Sequence, residues 1–371
     1  MSWGAGILKG HDPALDGLRA IAVFSVINVH LNEDLFPGGW LGVDIFFVLS
    51  GFLITGIIND EIDRTGTINL KRFFIRRALR LTPALWLLLC AAIALIMIGS
   101  SNHSAAAWSV VYAATYLMNW CRALGWGNGW ALAHTWSLAI EEQFYLVWPF
   151  LLLRFATFGH RLKLTSLLLF IAIGWRVYLI NSGASSERIY NGFDTHADSL
   201  VIGSMLSMAR LPERFERVVV MATPLTITSL LIILFTLPYQ TMTALLVGYP
   251  MVAMLSVALI ISAQQPGWFR NVLSIPVLVY CGKISYGIYL WHYLLISAWN
   301  TRLPENLAFV SALLSIGVAI ISYELVEKRF VKLKDKWAPK QGAKPEGESL
   351  LSLPVAAPVA LVADIVRPSA P

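Results

Sequence analysis

Two ionisable residues stand on one face of an otherwise apolar stretch, Leu15 to His30 (LDGLRAIAVFSVINVH). Arg19 and His30 are eleven residues apart, which returns to the same face of an α-helix and separates them by about 16 Å along its axis. Ionisable groups at membrane depth are costly and usually functional, so neutral His30 could act as a general base or an acyl acceptor in a wet cavity. The alternative from the residues alone is a helix cap at Arg19 and an interfacial histidine.

A carboxylate begins a second apolar stretch, GGWLGVDIFFVLSGFLITG. On an antiparallel neighbouring helix, Asp44 would lie at a depth similar to that of His30, where it could orient the imidazole and stabilise its charged form. The alternative is a buried aspartate that bonds a helix end or a polar neighbour. Small residues of the same stretch are expected to permit close helix packing rather than catalysis: Gly42, Ser50, Gly51 and Gly56.

Two adjacent glutamates occur in HTWSLAIEEQFYLVWP. Because adjacent helical residues point 100° apart, at most one of Glu141 and Glu142 easily faces a cavity. Ser137, Glu141 and Tyr145 follow one another at i, i+4 and i+8, which favours Glu141 for the polar face. Two carboxylates in one membrane helix are costly, so a purely structural role is the weaker interpretation.

A basic run, NLKRFFIRRALRLTPALW, places five cations within ten residues: Lys71, Arg72, Arg76, Arg77 and Arg80. On a helix, Arg72, Arg76 and Arg80 share one face, and Arg77 and Arg80 are also neighbours. Such a face can bind the phosphates of an anionic cofactor through bidentate guanidinium contacts. The alternative is a topology signal in contact with anionic lipid.

Two further stretches supply weaker candidates for substrate contacts. FDTHADSLVIG carries His196 and Asp198 at a helix entrance, and YGIYLWHYLL carries His292 among aromatic residues that packing alone could explain. The residues expected to contact a substrate are Ser137, Glu142, Tyr145, His196, Asp198 and His292. The sequence contains no zinc signature, glycine-rich phosphate loop or nucleophile elbow, so neither a bound metal nor nucleotide hydrolysis is expected.

The scaffold for these residues is an integral membrane protein by composition. The chain of 371 residues is 57% hydrophobic and 13% charged, whereas soluble domains carry about 25% charged residues. The basic residues flank apolar segments in the manner of the positive-inside rule, so the net charge of +6 does not indicate a nucleic-acid partner. Cys90, Cys121 and Cys281 lack metal or disulfide spacing and are expected to be free thiols.

The apolar pattern predicts an all-α polytopic membrane protein with about ten transmembrane helices around a central cavity and both termini in the cytoplasm. The predicted segments are 16–36, 39–59, 82–99, 137–155, 164–181, 196–210, 218–237, 244–263, 284–300 and 306–327. Counting the apolar stretch 105–120 as an eleventh span would place the later basic clusters outside, so 100–136 is expected to be a structured outer segment. Segment 196–210 is short for a ~30 Å core and should be sunk or tilted among its neighbours. A short surface helix is expected at 272–282.

Two regions follow from the same pattern. Residues 1–336 are expected to form one membrane domain without tandem repeats or a second soluble unit. Residues 337–371 are rich in Pro and Ala and lack hydrophobic periodicity, so they are expected to form a disordered cytoplasmic tail.

Five motifs follow one another across roughly residues 14–330: LDGLRAIAVFSVINVH, GGWLGVDIFFVLSGFLIT, KRFFIRRALRLTPA, HTWSLAIEEQFYLVWP and GKISYGIYLWH. In this order they resemble the membrane-bound acyltransferase family 3, bacterial O-acyltransferases that modify cell-surface sugars and some small molecules. The resemblance implies that Arg19 and His30 form the Arg-x10-His motif of the family. It likewise implies that Arg77 and Arg80 match its Arg-x-x-Arg motif, and that Ser137 and Glu141 match its Ser-x3-Glu motif.

The resemblance also implies an activity and a location. The chain would be a multi-pass protein of the bacterial inner membrane that moves an acyl group, usually acetyl, from cytosolic acyl-coenzyme A to a hydroxyl, without a metal. The expected acceptor is a cell-surface or exported carbohydrate, and the bilayer is the other expected partner. One departure is His196, because many relatives carry arginine there.

The mechanistic hypothesis assigns roles to these positions. Arg19 and the face made of Arg72, Arg76, Arg77 and Arg80 would hold the phosphates of acyl-coenzyme A. His30, oriented by Asp44 or Glu141, would deprotonate the acceptor hydroxyl, and a transient acyl-histidine is the variant.

Two other functions stay open at this stage. The acceptor could be a small molecule such as a macrolide or an oligosaccharide signal. In a different class, the chain could be a non-enzymatic transporter of a lipid-linked sugar, whose cavity charges move cargo without bond chemistry. Dependence on coenzyme A distinguishes an enzyme from a transporter.

Overall fold

A computed structural model describes residues 12–99, 103–155, 158–299 and 308–337, and the regular elements within these ranges are all helical. The predicted tail lies outside them, apart from its first residue. The α-helices in chain order are α1 (Pro13–Leu31), α2 (Leu41–Thr65), α3 (Leu70–Gly99), α4 (His103–Ala114), α5 (Met118–Ala123), α6 (Thr135–Arg154), α7 (Phe158–Asn181), α8 (Ser186–Asn191), α9 (Phe193–His196), α10 (Asp198–Met208), α11 (Glu213–Met221), α12 (Thr223–Thr236), α13 (Tyr249–Gln264), α14 (Trp268–Leu273), α15 (Pro276–Lys283), α16 (Ser285–Trp299), α17 (Ala308–Ser322) and α18 (Lys328–Trp337). Shorter turns of other helical types lie at Trp130–Leu132, Ala244–Gly248 and Tyr323–Glu327.

Six of the described helices are long and apolar enough to cross a membrane: Pro13–Leu31, Leu41–Thr65, Leu70–Ile98, Gly159–Asn181, Ala244–Gln264 and Phe309–Leu333. A seventh span results if α11 and α12, which are bent by 53° at their junction, cross together. The chain is therefore an all-α, multi-pass membrane protein, which confirms the predicted class. The count of ten spans and the orientation of the termini stay predictions.

Helices occur at all ten predicted apolar segments. Two short helices, α4 in the excluded stretch 105–120 and α10 in segment 196–210, are too short to span a membrane alone. Helix α4 has 12 residues, which is about 18 Å and too short for a ~30 Å hydrocarbon core. The stretch 105–120 is therefore helical in part, but it does not form one helix long enough to cross the membrane. Helix α10 has 11 residues, most of them buried, and it packs chiefly against α2, as expected for a short segment sunk among its neighbours.

Local signals set the ends of the first two helices. The Asp12 carboxylate accepts a hydrogen bond of 3.0 Å from the Ala14 N–H, and Pro13 occupies the first turn, where its missing N–H costs nothing. Helix α2 ends at Gly66, whose φ of 75° is the left-handed conformation that glycine adopts without strain. These two helices then run side by side and contact each other.

Glycines bring α2 into backbone contact with two neighbours. A Cβ atom at Gly51 would overlap the Leu200 carbonyl of α10, and one at Gly42 would overlap the Ala22 carbonyl of α1. The prediction that these two glycines permit close packing is confirmed. Ser50 was grouped with them, but it has a polar partner described below. Helix α2 therefore lies between α1 and α10 and presents a different face to each.

Candidate functional site

A cavity of about 400 Å³ lies among α1, α2, α3, α6 and α16. It follows α2 from Val43 to Ile57, a length of about 20 Å at 1.5 Å per residue. Six of the predicted site residues line it: Arg19, Arg77, Arg80, Ser137, Glu141 and Tyr145. The structure thus brings the predicted arginine pair and the predicted Ser-x3-Glu pair into one space.

Three arginines contribute the positive charge of this cavity. Arg19 donates to the Asp16 carboxylate at 3.0 Å. The Arg77 guanidinium lies 3.2 Å from the centre of the Tyr145 ring, and its Nη2 is 3.5 Å from a carboxylate oxygen of Glu142. Glu142, predicted as a substrate contact, therefore contacts Arg77, whereas Glu141 is the glutamate that lines the cavity.

The structure separates the other arginines of the basic run from this cavity. Arg72 Nη2 donates to the Glu61 carboxylate at 2.6 Å, and neither Arg72 nor Arg76 is among the lining residues. Because α3 is one continuous helix, Arg77, Arg80 and Leu81 share a face toward the cavity, and Arg72 faces α2. Of the five arginines predicted to hold phosphates, Arg19, Arg77 and Arg80 line the cavity, whereas Arg72 and Arg76 do not.

Hydroxyl groups and one carboxylate form the polar wall of the cavity. Ser50 Oγ donates to Glu141 Oε1 at 2.6 Å. Ser50 was expected only to permit helix packing, but it also binds the carboxylate of the cavity. Tyr289 donates its phenolic proton to the His134 carbonyl at 2.7 Å, so Ser137 Oγ is the donor in its 2.5 Å contact with Tyr289.

His30 does not line this cavity but belongs to a cluster of three histidines. Its ring centre lies 5.1 Å from that of His292 and 4.9 Å from that of Tyr293. His134 lies 5.4 Å from His292 and 5.1 Å from Tyr293. Tyr289 contacts the cluster as well, with its ring centre 5.5 Å from that of His134. The predicted residues His30 and His292 are therefore brought together, beyond the wall that Tyr289 forms.

His134 is the member of this cluster that sequence reasoning missed. It lies one residue before α6, and His134, Ser137 and Glu141 follow at i, i+3 and i+7, the spacing of one helix face. That spacing is a signal in the sequence that could have identified it.

Asp44 makes its hydrogen bonds away from His30. Its Oδ1 accepts from Ser199 Oγ at 2.6 Å and lies 3.3 Å from His196 Nε2, and both Asp44 and His196 are fully buried. Position 44 lies 200° around α2 from Gly42, which faces α1, so Asp44 faces α10 instead. The structure thus corrects the predicted Asp44–His30 contact and favours the alternative of a buried aspartate with polar neighbours.

His196 is enclosed by partners in the same layer. Its Nδ1 is 2.6 Å from the Tyr190 carbonyl, the Tyr249 ring stacks on it at 4.7 Å, and the Trp136 ring stacks at 5.5 Å. His196 is not among the lining residues of the cavity. The expectation that it contacts substrate is therefore corrected to a packing role between α2, α10 and α13.

A second buried ion pair completes this layer. Arg176 binds the Asp198 carboxylate, and its Nε also donates to the Thr195 carbonyl at 2.9 Å. The side chains of Arg176 and Asp198 are 2% and 0% exposed. Asp198 thus neutralises a buried guanidinium and, contrary to its predicted contact with substrate, does not line the cavity.

A polar network outside the long helices joins α5, α8 and α9. Arg122 donates to Glu187 at 2.9 Å, and this carboxylate raises the pKa of Arg122 although burial alone would lower it. Burial would also raise the pKa of Asp194, but hydrogen bonds from Arg188 and Trp175 hold it below its ordinary range. These ion pairs hold the short helices beside the C-terminal part of α7, where Trp175 lies.

The arrangement suits binding of an elongated anionic molecule at one end and hydroxyl chemistry at the other. Guanidinium groups at Arg19, Arg77 and Arg80 match phosphate oxygens, while Ser137, Tyr289 and Glu141 match polar, uncharged groups. Among the residues that the structure describes, no group of histidine, cysteine and carboxylate side chains has the geometry of a metal site.

Comparisons with known proteins identify a family and several relatives. A family model described as "Acyltransferase domain" matches residues 12–324. The chain is 36% identical over 344 residues to the peptidoglycan O-acetyltransferase OatA of Listeria monocytogenes, covering 84% of this chain and 54% of that protein. It is 33% identical over 340 residues to the O-acetyltransferase OatA of Staphylococcus aureus (strain NCTC 8325 / PS 47), covering 85% and 56%. A protein of Staphylococcus aureus (strain COL) whose name marks it as a candidate O-acetyltransferase is 34% identical over 345 residues, covering 86% and 57%.

These relatives are longer than the chain. The chain spans about half the length of the curated relatives that it matches, between 54% and 57% in the three cases above. No solved structure matches it.

Proposed function

We propose that this chain, which belongs to the acyltransferase family matched over residues 12–324, is an O-acyltransferase that moves an acetyl group from acetyl-coenzyme A to a cell-surface carbohydrate hydroxyl. The carrying observation is that one cavity joins an arginine end to a hydroxyl and carboxylate end within a membrane domain. The names of the relatives, among them a peptidoglycan O-acetyltransferase, support acetyl as the group and cell-wall carbohydrate as the acceptor class.

The arginine end of the cavity binds the phosphates of the donor. A volume of about 400 Å³ is near the lower limit of small-molecule pockets, roughly 300–1,000 Å³. It therefore suits the extended thioester arm and acyl group, with the nucleotide at the mouth. Arg19 and Arg77 keep their own carboxylate partners, so phosphate binding adds to existing ion pairs, and Arg80 supplies further positive charge.

His30 carries out the proton transfer in the proposed reaction. Its Nε2 takes the proton of the acceptor hydroxyl while the oxygen forms a bond to the thioester carbonyl carbon. The carbon–sulfur bond then breaks, and the leaving thiolate takes the proton from the His30 imidazolium, which releases free coenzyme A. Of the two carboxylates predicted to assist His30, Asp44 lies beside His196 and Glu141 accepts from Ser50, so the Val26 carbonyl, 2.8 Å from Nδ1, is the group that orients the His30 ring. General-base catalysis of this kind contributes about 10²–10⁴ in rate.

The same proposal sets an orientation in the bacterial inner membrane. Acyl-coenzyme A is a cytosolic donor, so the end of α1 that carries Arg19 faces the cytoplasm and the His30 end lies toward the outer surface. Both termini then lie in the cytoplasm across ten spans, as the positive-inside pattern predicts.

The test uses the full chain in lipid nanodiscs with radiolabelled acetyl-coenzyme A and solubilised cell-wall glycan. We expect label to enter the glycan together with release of free thiol, and His30→Gln to reduce the rate at least 10²-fold. The matched control is His160→Gln, because His160 is an exposed histidine of α7. Full activity of a correctly inserted His30→Gln variant would show that another group is the base.

Arginine variants test the binding of acetyl-coenzyme A separately from the transfer step. Arg80→Gln should raise the KM for acetyl-coenzyme A about tenfold, since one charged hydrogen bond to phosphate is worth about 1.5–3 kcal/mol. Arg64→Gln is the control because Arg64 is an exposed residue of α2 that pairs with Asp60. A chain that binds no acetyl-coenzyme A and releases no thiol would instead favour the transporter.

A further inference from the structure

Each histidine of the three-histidine cluster commits one ring nitrogen to a backbone carbonyl. His30 Nδ1 lies 2.8 Å from the Val26 oxygen, and His134 Nε2 lies 3.1 Å from the Leu290 oxygen. His292 Nδ1 lies 2.5 Å from the Tyr289 oxygen. A carbonyl oxygen only accepts hydrogen bonds, so in each neutral ring the committed nitrogen carries the proton and the other nitrogen carries a lone pair.

Two of these lone pairs have no hydrogen-bond donor among the described residues. His134 Nδ1 and His292 Nε2 are buried atoms with no hydrogen-bond partner among the described residues. The residues themselves are 2% and 0% exposed. Buried acceptors without a partner are rare because they have lost water without replacing it, so each such group requires an explanation. The His292 ring centre lies 5.1 Å from that of His30, the partly exposed third member of the cluster, and 5.4 Å from that of His134.

We propose that His30, His134 and His292 form the acceptor site of the transferase, and that the site takes a compound with neighbouring hydroxyl groups, such as a sugar ring. The reacting hydroxyl donates to His30, and adjacent hydroxyls donate to His134 Nδ1 and His292 Nε2. This assignment rests on the proposed acyl transfer, and it makes His134 and His292 substrate-binding residues that hold the acceptor in register with His30.

The position of Tyr289 explains why donor and acceptor sites are separate spaces. The Tyr289 side chain lines the arginine-bearing cavity, while its ring centre is 5.4 Å from that of His292 and 5.5 Å from that of His134. The partly exposed members of the cluster are His30 and Tyr293. The acceptor therefore enters at the His30 end of α1, opposite the arginines, and meets the acyl group at the Ser137–Tyr289 pair.

The test exploits the two shapes of an amide side chain. At position 292, Asn keeps a donor near Nδ1 for the Tyr289 carbonyl but has no group near Nε2, whereas Gln keeps an acceptor near Nε2 and loses the donor. At position 134 the roles are reversed, because there Nε2 holds the Leu290 carbonyl and Nδ1 is the free acceptor. The four variants are compared in nanodiscs with acetyl-coenzyme A and tetra-N-acetylchitotetraose as the probe acceptor.

The proposal expects a crossed pattern. His292→Asn and His134→Gln should raise the KM for the sugar about tenfold, the loss of one hydrogen bond, while the KM for acetyl-coenzyme A stays within twofold. His292→Gln and His134→Asn keep the acceptor nitrogen's position and should raise the KM for the sugar at least threefold less than the other variant at the same position, and His160→Gln is the control that should match wild type. The reverse order would show that only the backbone hydrogen bonds matter, and an unchanged sugar KM in all four variants would equally overturn the assignment.

A measurement on the wild-type chain tests the acceptor site even if the variants fail to fold. Diethyl pyrocarbonate modifies accessible histidine lone pairs, so saturating sugar, without donor, should slow modification of the partly exposed His30 about tenfold but leave the exposed His160 unchanged. No protection overturns the acceptor site whether or not transfer occurs. Protection without any transfer from acetyl-coenzyme A would instead refute the proposed function and leave the hydroxyl-binding site in place.

Discussion

Replacing Asp44 by Ala should unfold the membrane domain more readily rather than only stop catalysis. The carboxylate is fully buried, accepts a hydrogen bond from Ser199 at 2.6 Å and lies 3.3 Å from His196 Nε2. A hydrogen bond to a charged group is worth about 1.5–3 kcal/mol, and leaving its buried polar partners unsatisfied costs about 1–3 kcal/mol more. We expect the free energy of unfolding to fall by about 3–5 kcal/mol.

The assay is equilibrium unfolding in mixed detergent micelles, followed by tryptophan fluorescence and circular dichroism. Asp60→Ala is the matched control because Asp60 is also an aspartate of α2, but it is 31% exposed and pairs with Arg64, which is 53% exposed. Such a surface pair is worth about 0–1 kcal/mol, so this variant should unfold almost like wild type.

A double-mutant cycle with His196→Phe isolates the interaction. Once Asp44 is absent, His196 has already lost its carboxylate, so the second substitution should cost less than it does alone. We expect a coupling energy of about 2 kcal/mol, within the 0.5–3 kcal/mol range of contacting residues. If Asp44→Ala unfolded like wild type and lost only transfer activity, the catalytic role first expected for Asp44 would be restored and the structural argument refuted.

Three further predictions concern packing, the donor and thiol access. Gly51→Val should lower the free energy of unfolding by ~1–3 kcal/mol, because its side chain would overlap the α10 backbone. Gly174→Val is the control, since a side chain there meets open space, and thermal unfolding in detergent compares the two variants. Arg77→Gln should raise the KM for acetyl-coenzyme A about tenfold, and a change in kcat alone would contradict a binding role. N-ethylmaleimide should label partly exposed Cys281 of the short helix α15 faster than Cys121, whose burial raises the pKa of its thiol; equal rates by peptide mapping would contradict that burial.

Features that depend on one helix at a time were predictable from the sequence. Apolar length and composition identified an all-α membrane protein, and spacing within a helix placed Arg77 with Arg80 and Ser137 with Glu141 on common faces. These predictions hold because 100° per residue is a property of the backbone that neighbours scarcely alter. The family resemblance was confirmed by the match over residues 12–324.

Features that depend on which helices meet were decided by the tertiary structure. A sequence shows that Asp44 is near a helix end, but the backbone contacts of Gly42 and Gly51 turn α2 so that Asp44 faces His196 rather than His30. Packing likewise separated Arg72 from the cavity and gathered His30, His134 and His292 from three distant segments. The rotation of one helix against another depends on side chains far apart in the chain, and spacing along a single helix carries no information about it.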